Sequence, residues 1–296
     1  EESKLSLKVM ADFTEKNPQR LQILASSNED EIQKLTISAV EEAASSQEDA
    51  DLIAKVVFGA SEEIANKVVA EVTKNSTDEK IALSAKVMKS IIDVNPDKIE
   101  NLSDENKDII INQTIEATKQ QVESDQDDGG IDLSEIVSEI VMNTKEDTAT
   151  KVLETLNEQA KESDSKLSLS VFVNLSKNKN FENKLKEISN KSSISENIVG
   201  RMIENSIEDI KDDNDLTLVK NIIKKSGDFL INKVVEIDKK TISSNKLKID
   251  KIIDEIIKED PVKAKEIIKI KTIEETKKPK KIKEIKDVID TNISAN

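Results

Sequence analysis

Leu5-Ser6-Leu7-Lys8-Val9-Met10 recurs as Leu83-Ser84-Ala85-Lys86-Val87-Met88 and again as Leu167-Ser168-Leu169-Ser170-Val171-Phe172, at spacings of 78 and 84 residues. Between the first two copies the register continues without a gap. Asn17-Pro18 falls on Asn95-Pro96, Leu21 on Ile99, Leu24 on Leu102, Ile32 on Ile110, Thr36 on Thr114 and Ala39 on Ala117. A second marker closes each unit: Asp51-Leu52 corresponds to Asp132-Leu133 and Asp215-Leu216, and Lys67-Val68-Val69 to Lys151-Val152-Leu153 and Lys233-Val234-Val235. Self-similarity at one long period is the sequence mark of a repeat architecture.

The markers divide the chain into repeat 1 (1–78), repeat 2 (79–162), repeat 3 (163–244), a partial fourth repeat or cap (245–270) and a Lys-rich tail (271–296). In the partial unit Ile252-Ile253 and Asp260-Pro261 overlay Val9-Met10 and Asn17-Pro18. Apolar residues recur at three- and four-residue steps, as in Ile32, Leu35, Ala39, Val40 and Ala43, or Ile136, Val137, Ile140 and Val141. That period predicts helices with one buried stripe each. Four are expected per unit, near 5–16, 29–45, 50–59 and 61–74, then 79–93, 104–122, 132–142 and 145–161. Asn-Pro steps stop helices, and Asp51, Asp132 and Asp215 stand where N-caps belong. One helix pair cannot hide its stripe, so pairs must stack. The expected fold is therefore all-α, an α-solenoid or helical repeat array of about 80-residue, four-helix units. A long bundle or coiled coil is the competing architecture, but heptads are not sustained.

Composition agrees. Aromatics are 2% of the chain, with five Phe and no Trp or Tyr, so the core is aliphatic; five Gly and four Pro are too few for a turn-rich all-β fold. No Cys and no His are present, which removes disulfides, thiol catalysis, zinc thiolates and the commonest metal ligand. A net charge of −15 argues against nucleic acid as a partner. No run of 18 or more apolar residues marks a transmembrane segment. Residue 1 is Glu, consistent with a processed chain or an excised segment, either of which could have lost a signal sequence.

Each candidate site has two readings. Ser124 to Glu135 resembles a twelve-residue EF-hand calcium loop, with Asp128, Gly129, Ile131 and Glu135 on its fifth, sixth, eighth and twelfth positions; Ser124 and Gln126 depart from the pattern at its first and third. Alternatively Gly129-Gly130 end one helix and Asp132 caps the next. Asp128 and Glu135 are thus weak calcium candidates, and no other cofactor is expected. Acid clusters at 29–31, 41–42, 48–49 and 212–213 could pair carboxylates for glycoside hydrolysis, but solvated helix faces explain them without aromatic platforms. Between Pro261 and Lys286 ten Lys face four Glu, a local +6. Within it Lys277, Lys278, Lys280 and Lys281 are interaction candidates for an anionic membrane surface, or belong to a solvated tail. The five Phe are expected to pack.

The repeat cores, Leu-Ser-x-Lys-Val-Met leading to Asn-Pro and later Asp-Leu-Ile-Ala-Lys-Val-Val, resemble the helical repeat regions of large surface proteins, some bearing a FecR domain, from AT-rich marine alphaproteobacteria. The resemblance covers most of residues 5–240 and implies a structural or cell-surface role, with no functional residues to carry across. No FecR domain is visible. Repetition without a catalytic constellation reads as a non-enzymatic structural or scaffold protein, an extracellular or surface spacer or filament component rather than a cytoplasmic one. Its expected partner is protein, including its own copies in a homo-oligomer or filament. An adaptor solenoid that binds a protein partner, and a helical protein that associates with membrane surfaces through its Lys-rich C-terminus, are the alternatives.

Overall fold

The computed structural model describes residues 2–16, 34–43, 46–74, 76–124, 132–161, 165–191, 193–240 and 245–275, and every regular element among them is a helix. Repeat 1 contains α1 (Glu2–Lys16), α2 (34–41), α3 (Gln47–Gly59) and α4 (Glu62–Thr73). Next come α5 (Asp78–Val94), α6 (Asp97–Glu100), α7 (Asp104–Ser124), α8 (Leu133–Asn143) and α9 (Glu146–Lys161). Repeat 3 contains α10 (Leu167–Lys177), α11 (Phe181–Lys191), α12 (Ser193–Glu208), α13 (Asp213–Lys225) and α14 (Asp228–Lys240). After them stand α15 (Asn245–Glu259) and α16 (Pro261–Glu275). The chain is the helical repeat array that its periodicity implies.

Two features refine the four-helix unit. A further helix follows the first of a unit, α6 in repeat 2 and α11 in repeat 3. Both start behind an Asn that ends the preceding helix: Asn95 Oδ1 accepts from Asp97 N at 3.0 Å, and Asn178 Oδ1 from Asn180 N at 2.9 Å. Asp260 does the same ahead of α16, accepting from Val262 N and Lys263 N at 3.0 and 3.1 Å, with Pro261 at the first helical position, where its missing N–H costs nothing.

The caps also differ from expectation at two of three places. Asp132 caps α8 as anticipated, accepting from Ser134 N at 3.0 Å. The α3 cap is Ser46, whose Oγ accepts from Asp49 N at 3.1 Å, and the α13 cap is Asp212, which accepts from Asn214 N and Asp215 N. Asp51 and Asp215 lie inside the helices. Asp215 reaches back to accept from Lys211 N at 2.9 Å, one residue ahead of the cap. Ser61 and Thr77 cap α4 and α5.

The helices pack as two compact units, Glu1–Asp209 and Ile210–Asn296. In the first, one row of neighbours runs α1, α3, α5, α8, α10 and a second runs α4, α7, α9, α12. Helices also touch neighbours in the opposite row, as in α3 with α4, α5 with α7 and α8 with α9. The physical building block is thus a helix pair of roughly 40 residues, and the 80-residue sequence repeat holds two such pairs. In the second unit α13 packs on α15, α14 on α16, and α15 on both α14 and α16.

Helix α5 shows why the pattern folds. It is flanked by α3 and α8 in its own row and by α4 and α7 in the other, and Ile81, Leu83, Ala85, Val87, Met88, Ile91 and Ile92 are all buried. Each such aliphatic side chain contributes about 1.5–3 kcal/mol on leaving water. Buried Ser84 and Ser90 both return their hydroxyls to carbonyls one turn back, Lys80 O at 2.9 Å and Lys86 O at 3.0 Å.

Candidate functional site

A helix leaves four N–H and four C=O groups without partners at its two ends. In this chain many are satisfied by a neighbouring helix pair. At C-terminal ends, Lys80 Nζ donates to Val40 O and Glu41 O, Gln113 Nε2 to Thr73 O at 2.9 Å, and Lys184 Nζ to Thr144 O at 2.5 Å. In the second unit Lys263 Nζ donates to Ser226 O at 2.6 Å. At N-terminal ends, Glu100 accepts from Lys145 N and Thr148 Oγ1 at 2.8 and 3.0 Å, Asn66 Oδ1 from Ser103 N at 2.7 Å, and Asp209 from Leu169 N at 3.0 Å. Positive side chains thus meet negative helix ends, and acids meet positive ones, which is also the favourable sense for the helix dipole.

Side-chain pairs complete these seams. Asp51 accepts from both Gln47 and Ser90, which joins α3 to α5. Asn106 donates to Asn66 O and Oδ1, joining α4 to α7. Asn174 donates to Asp132 at 2.9 Å and to Ser134 Oγ at 2.6 Å, joining α8 to α10. Asn157 donates to Ile198 O and accepts from Asn205, joining α9 to α12. Separations across seams of the first unit run from 37 to 48 residues, and across the second from 35 to 39. Ion pairs follow the same spacing: Lys8 with Glu48, Glu15 with Lys55, Asp108 with Lys151, and Asp213 with Lys251.

Several carboxyls in these seams have displaced pKa values: Lys251 holds Asp213, and Lys220 and Lys224 hold Glu259, below their ordinary range, while Asp132 and Glu139 are set by burial and their own neighbours. Burial works to raise the pKa of Asp132, but hydrogen bonds from the Ser134 hydroxyl, the Asn174 amide and the backbone outweigh it and hold the carboxyl below its ordinary range. Glu139 on α8 goes the other way. Burial raises it, Lys89 opposes, and the nearby acids Asp93 and Glu135 add to the rise. Its Oε2 is buried without a hydrogen-bond partner.

The sequence candidates divide unevenly. Asp128 lies outside the described residues, as do Lys277, Lys278, Lys280, Lys281 and the acids 29–31. Glu135 is exposed in the first turn of α8, its N–H bonded to Asp132 O at 3.1 Å. Asp132 spends one oxygen on Ser134 and the other on Asn174, so its chemistry is that of a cap and a seam. Among the described residues no three Asp or Glu converge into a group able to hold a metal ion. In the clusters at 48–49 and 212–213, Glu48 pairs with Lys8, Asp213 with Lys251, and Asp212 is a cap. Glu100, Asn66, Gln113, Lys184, Asp209 and Lys263 went unnoticed in the sequence, since their partners lie about 40 residues away.

Two surfaces among the described residues stand apart from the seams. An open groove of about 550 Å³ between α2 and α4 is lined by Lys34, Ile37, Ser38, Lys67, Ala70, Glu71 and Lys74. The second is the outer face of α1. Leu5, Val9 and Phe13 lie one helical turn apart and are 62%, 47% and 38% exposed, while Leu7 and Ala11 are buried. Phe13, expected in the core, is at the surface; Phe172 is fully buried and Phe181 nearly so. No helix among the described residues is long and apolar enough to cross a membrane.

No family model matches the chain, and no curated protein matches it. Among solved structures, it is similar to a Puf4 RNA binding domain bound to an HO endonuclease RNA 3′ UTR recognition sequence. Identity is 12%, the match covers 86% of this chain and 94% of that one, and the TM-score is 0.30. It is also similar to a chain from the computational design of self-assembling cyclic protein homooligomers, at 16% identity, with 92% and 94% covered and a TM-score of 0.17. These likenesses belong to the helical repeat fold class and are carried no further.

Proposed function

We propose that this chain is a non-enzymatic structural or scaffold repeat protein, a spacer or filament component whose stacked pairs set length. The observation that carries it is the use of polar side chains. Glu100, Asp132, Asn66, Asn157, Lys184 and Lys263 join one helix pair to the next, instead of converging on a shared reaction centre. An extracellular or cell-surface location belongs to this reading and rests on the resemblance of the repeat motifs. A chain deleted for residues 79–162, which joins position 78 to 163 in repeat register, tests it. A spacer stays folded, with unchanged helicity per residue and a shorter hydrodynamic length; collapse of the remaining repeats contradicts the reading.

The groove between α2 and α4 favours a second reading, an adaptor for a protein segment. Three Lys around an apolar floor suit an acidic peptide with apolar anchors. Such a peptide would shift the amide resonances of 34–38 and 67–74 on titration, and resonances unmoved by it would contradict this alternative.

A further inference from the structure

We propose that the contact of α8 with α5 is a proton-responsive joint: Glu139, a carboxyl set among packed aliphatic side chains with no cation of its own, loosens the contact when ionised and closes it on taking up a proton. The proposal concerns one seam of the array and stands apart from the spacer reading. The repeat singles the residue out. Counted from the Asp-Leu marker of each unit, Glu139 falls on Phe58 of α3 and on Ile222 of α13. Two units thus place an apolar side chain where the other places a carboxyl. Around it on α8, Ile136, Val137, Ile140 and Val141 are buried.

The surroundings do not neutralise that charge. Helix α8 packs against α5, α7, α9 and α10. The charged groups that act on Glu139 are Lys89 and Asp93 of α5 and Glu135 of α8 itself, and none comes from α7, α9 or α10. Three carboxyls therefore share one ammonium. Lys89 is already committed, because its Nζ stands 3.1 Å from each carboxylate oxygen of Asp93 on its own helix. Glu139 Oε2 is buried and accepts no hydrogen bond among the described residues. An ionised carboxylate in that position has given up water without gaining a partner, and a proton removes the cost.

Other carboxyls in the seams are placed in the opposite way. Asp213 has Lys251 at 2.9 Å, and Glu259 has Lys220 and Lys224 at 2.9 and 3.1 Å. Asp132, which joins α8 to α10, has the Ser134 hydroxyl and the Asn174 amide. Helix α8 thus stands between two contacts of opposite sign. What Glu139 adds to the α5 contact is complete below its unfolded pKa and is lost as pH rises through the raised value in the fold. What Asp132 adds to the α10 contact is complete above its unfolded pKa and is lost as pH falls through the lowered value. The two windows lie on opposite sides of the ordinary carboxylate range, so mild acid acts on the α5 contact alone.

An NMR titration of the carboxyl signals of the whole chain, with Glu139→Gln to assign the resonance, is the first measurement. Glu139 is expected to titrate above the ordinary Glu value. Asp93→Asn removes one acid and releases Lys89, and should bring the titration down to that value or below it. Amide hydrogen exchange of α8, corrected for its intrinsic pH dependence, reads the joint itself. Protection is expected to rise about two- to threefold from pH 7 to pH 5 in the unmodified chain and to stay level in Glu139→Gln. Titration of Glu139 at or below the ordinary value, or one unmoved by Asp93→Asn, overturns the proposal. So does protection that fails to rise, or that rises equally in Glu139→Gln.

Discussion

Helices α1 and α5 share Leu-Ser-x-Lys-Val-Met at the same helical positions, yet the stripe of α5 is buried and that of α1 is exposed. In α5 the residues at 83, 87 and 91 are 0% exposed; in α1 those at 5, 9 and 13 are half open to water. Sequence is nearly constant across this comparison and surroundings are not. The difference teaches that in a stacked array the energy of a repeated residue belongs to the interface it enters.

The largest expected effect separates the two helices directly. Ile91→Ala should cost roughly 2–5 kcal/mol, the cost of a cavity in a packed core, whereas Phe13→Ala at the matching position should cost under about 1 kcal/mol. Urea midpoints of the two variants measure the contrast, and equal losses would break it.

Next is the seam around Asp132. A carboxyl held below its ordinary pKa lends stability that is complete above the unfolded value near 4 and is lost as pH falls through the lowered value in the fold. Asp132→Ala should therefore cost about 1–2 kcal/mol at pH 7, from the lost cap and the unpaired Asn174, and the difference from the unmodified chain should shrink in acid. A gap that stays constant down to pH 2 would show that the charge is irrelevant.

Glu139 carries the opposite sign. Its raised pKa means that the fold binds its proton more tightly than the unfolded chain does. Its contribution is fully present below the unfolded value and is lost as pH rises through the raised one. Glu139→Gln should accordingly stabilise at pH 7 by about 0.5 kcal/mol, discounted for partial exposure, with no gain below pH 4. Thermal melts at the two pH values distinguish this from a gain independent of pH.

The smallest effect belongs to the ion pair between α1 and α3. Glu15 and Lys55 sit 3.1 Å apart but are both about half exposed, so Glu15→Gln should change stability by about 0.5 kcal/mol or less and vanish in high salt.

Much of the fold is legible in the sequence because local periodicity and a fixed offset report it. The expected helices at 79–93 and 145–161 correspond to Asp78–Val94 and Glu146–Lys161. The short α6 escaped because four residues carry no period, and Asp51 passed for a cap because Asp-Leu reads alike before a helix and inside its first turns. The seams were invisible for another reason. Glu100 and Thr148 meet only after two rows of helices have formed, and nothing in either neighbourhood announces the other. The 40-residue pair was hidden inside the 80-residue repeat since α1-type and α3-type helices have diverged in sequence while keeping equivalent places in one row.

The central claim is that α1 carries the same packing face as the interior helix α5, and that a preceding helix pair is what buries it. A chain in which a second copy of residues 46–78 is placed directly before Glu1 tests it, because the 78-residue offset puts that copy where α3 and α4 stand ahead of α5. Amide hydrogen exchange across residues 5–16 is the measurement. The account predicts that protection in α1 rises to the level of α5, as Leu5, Val9 and Phe13 become covered. Exchange in α1 unchanged by the added pair would contradict it.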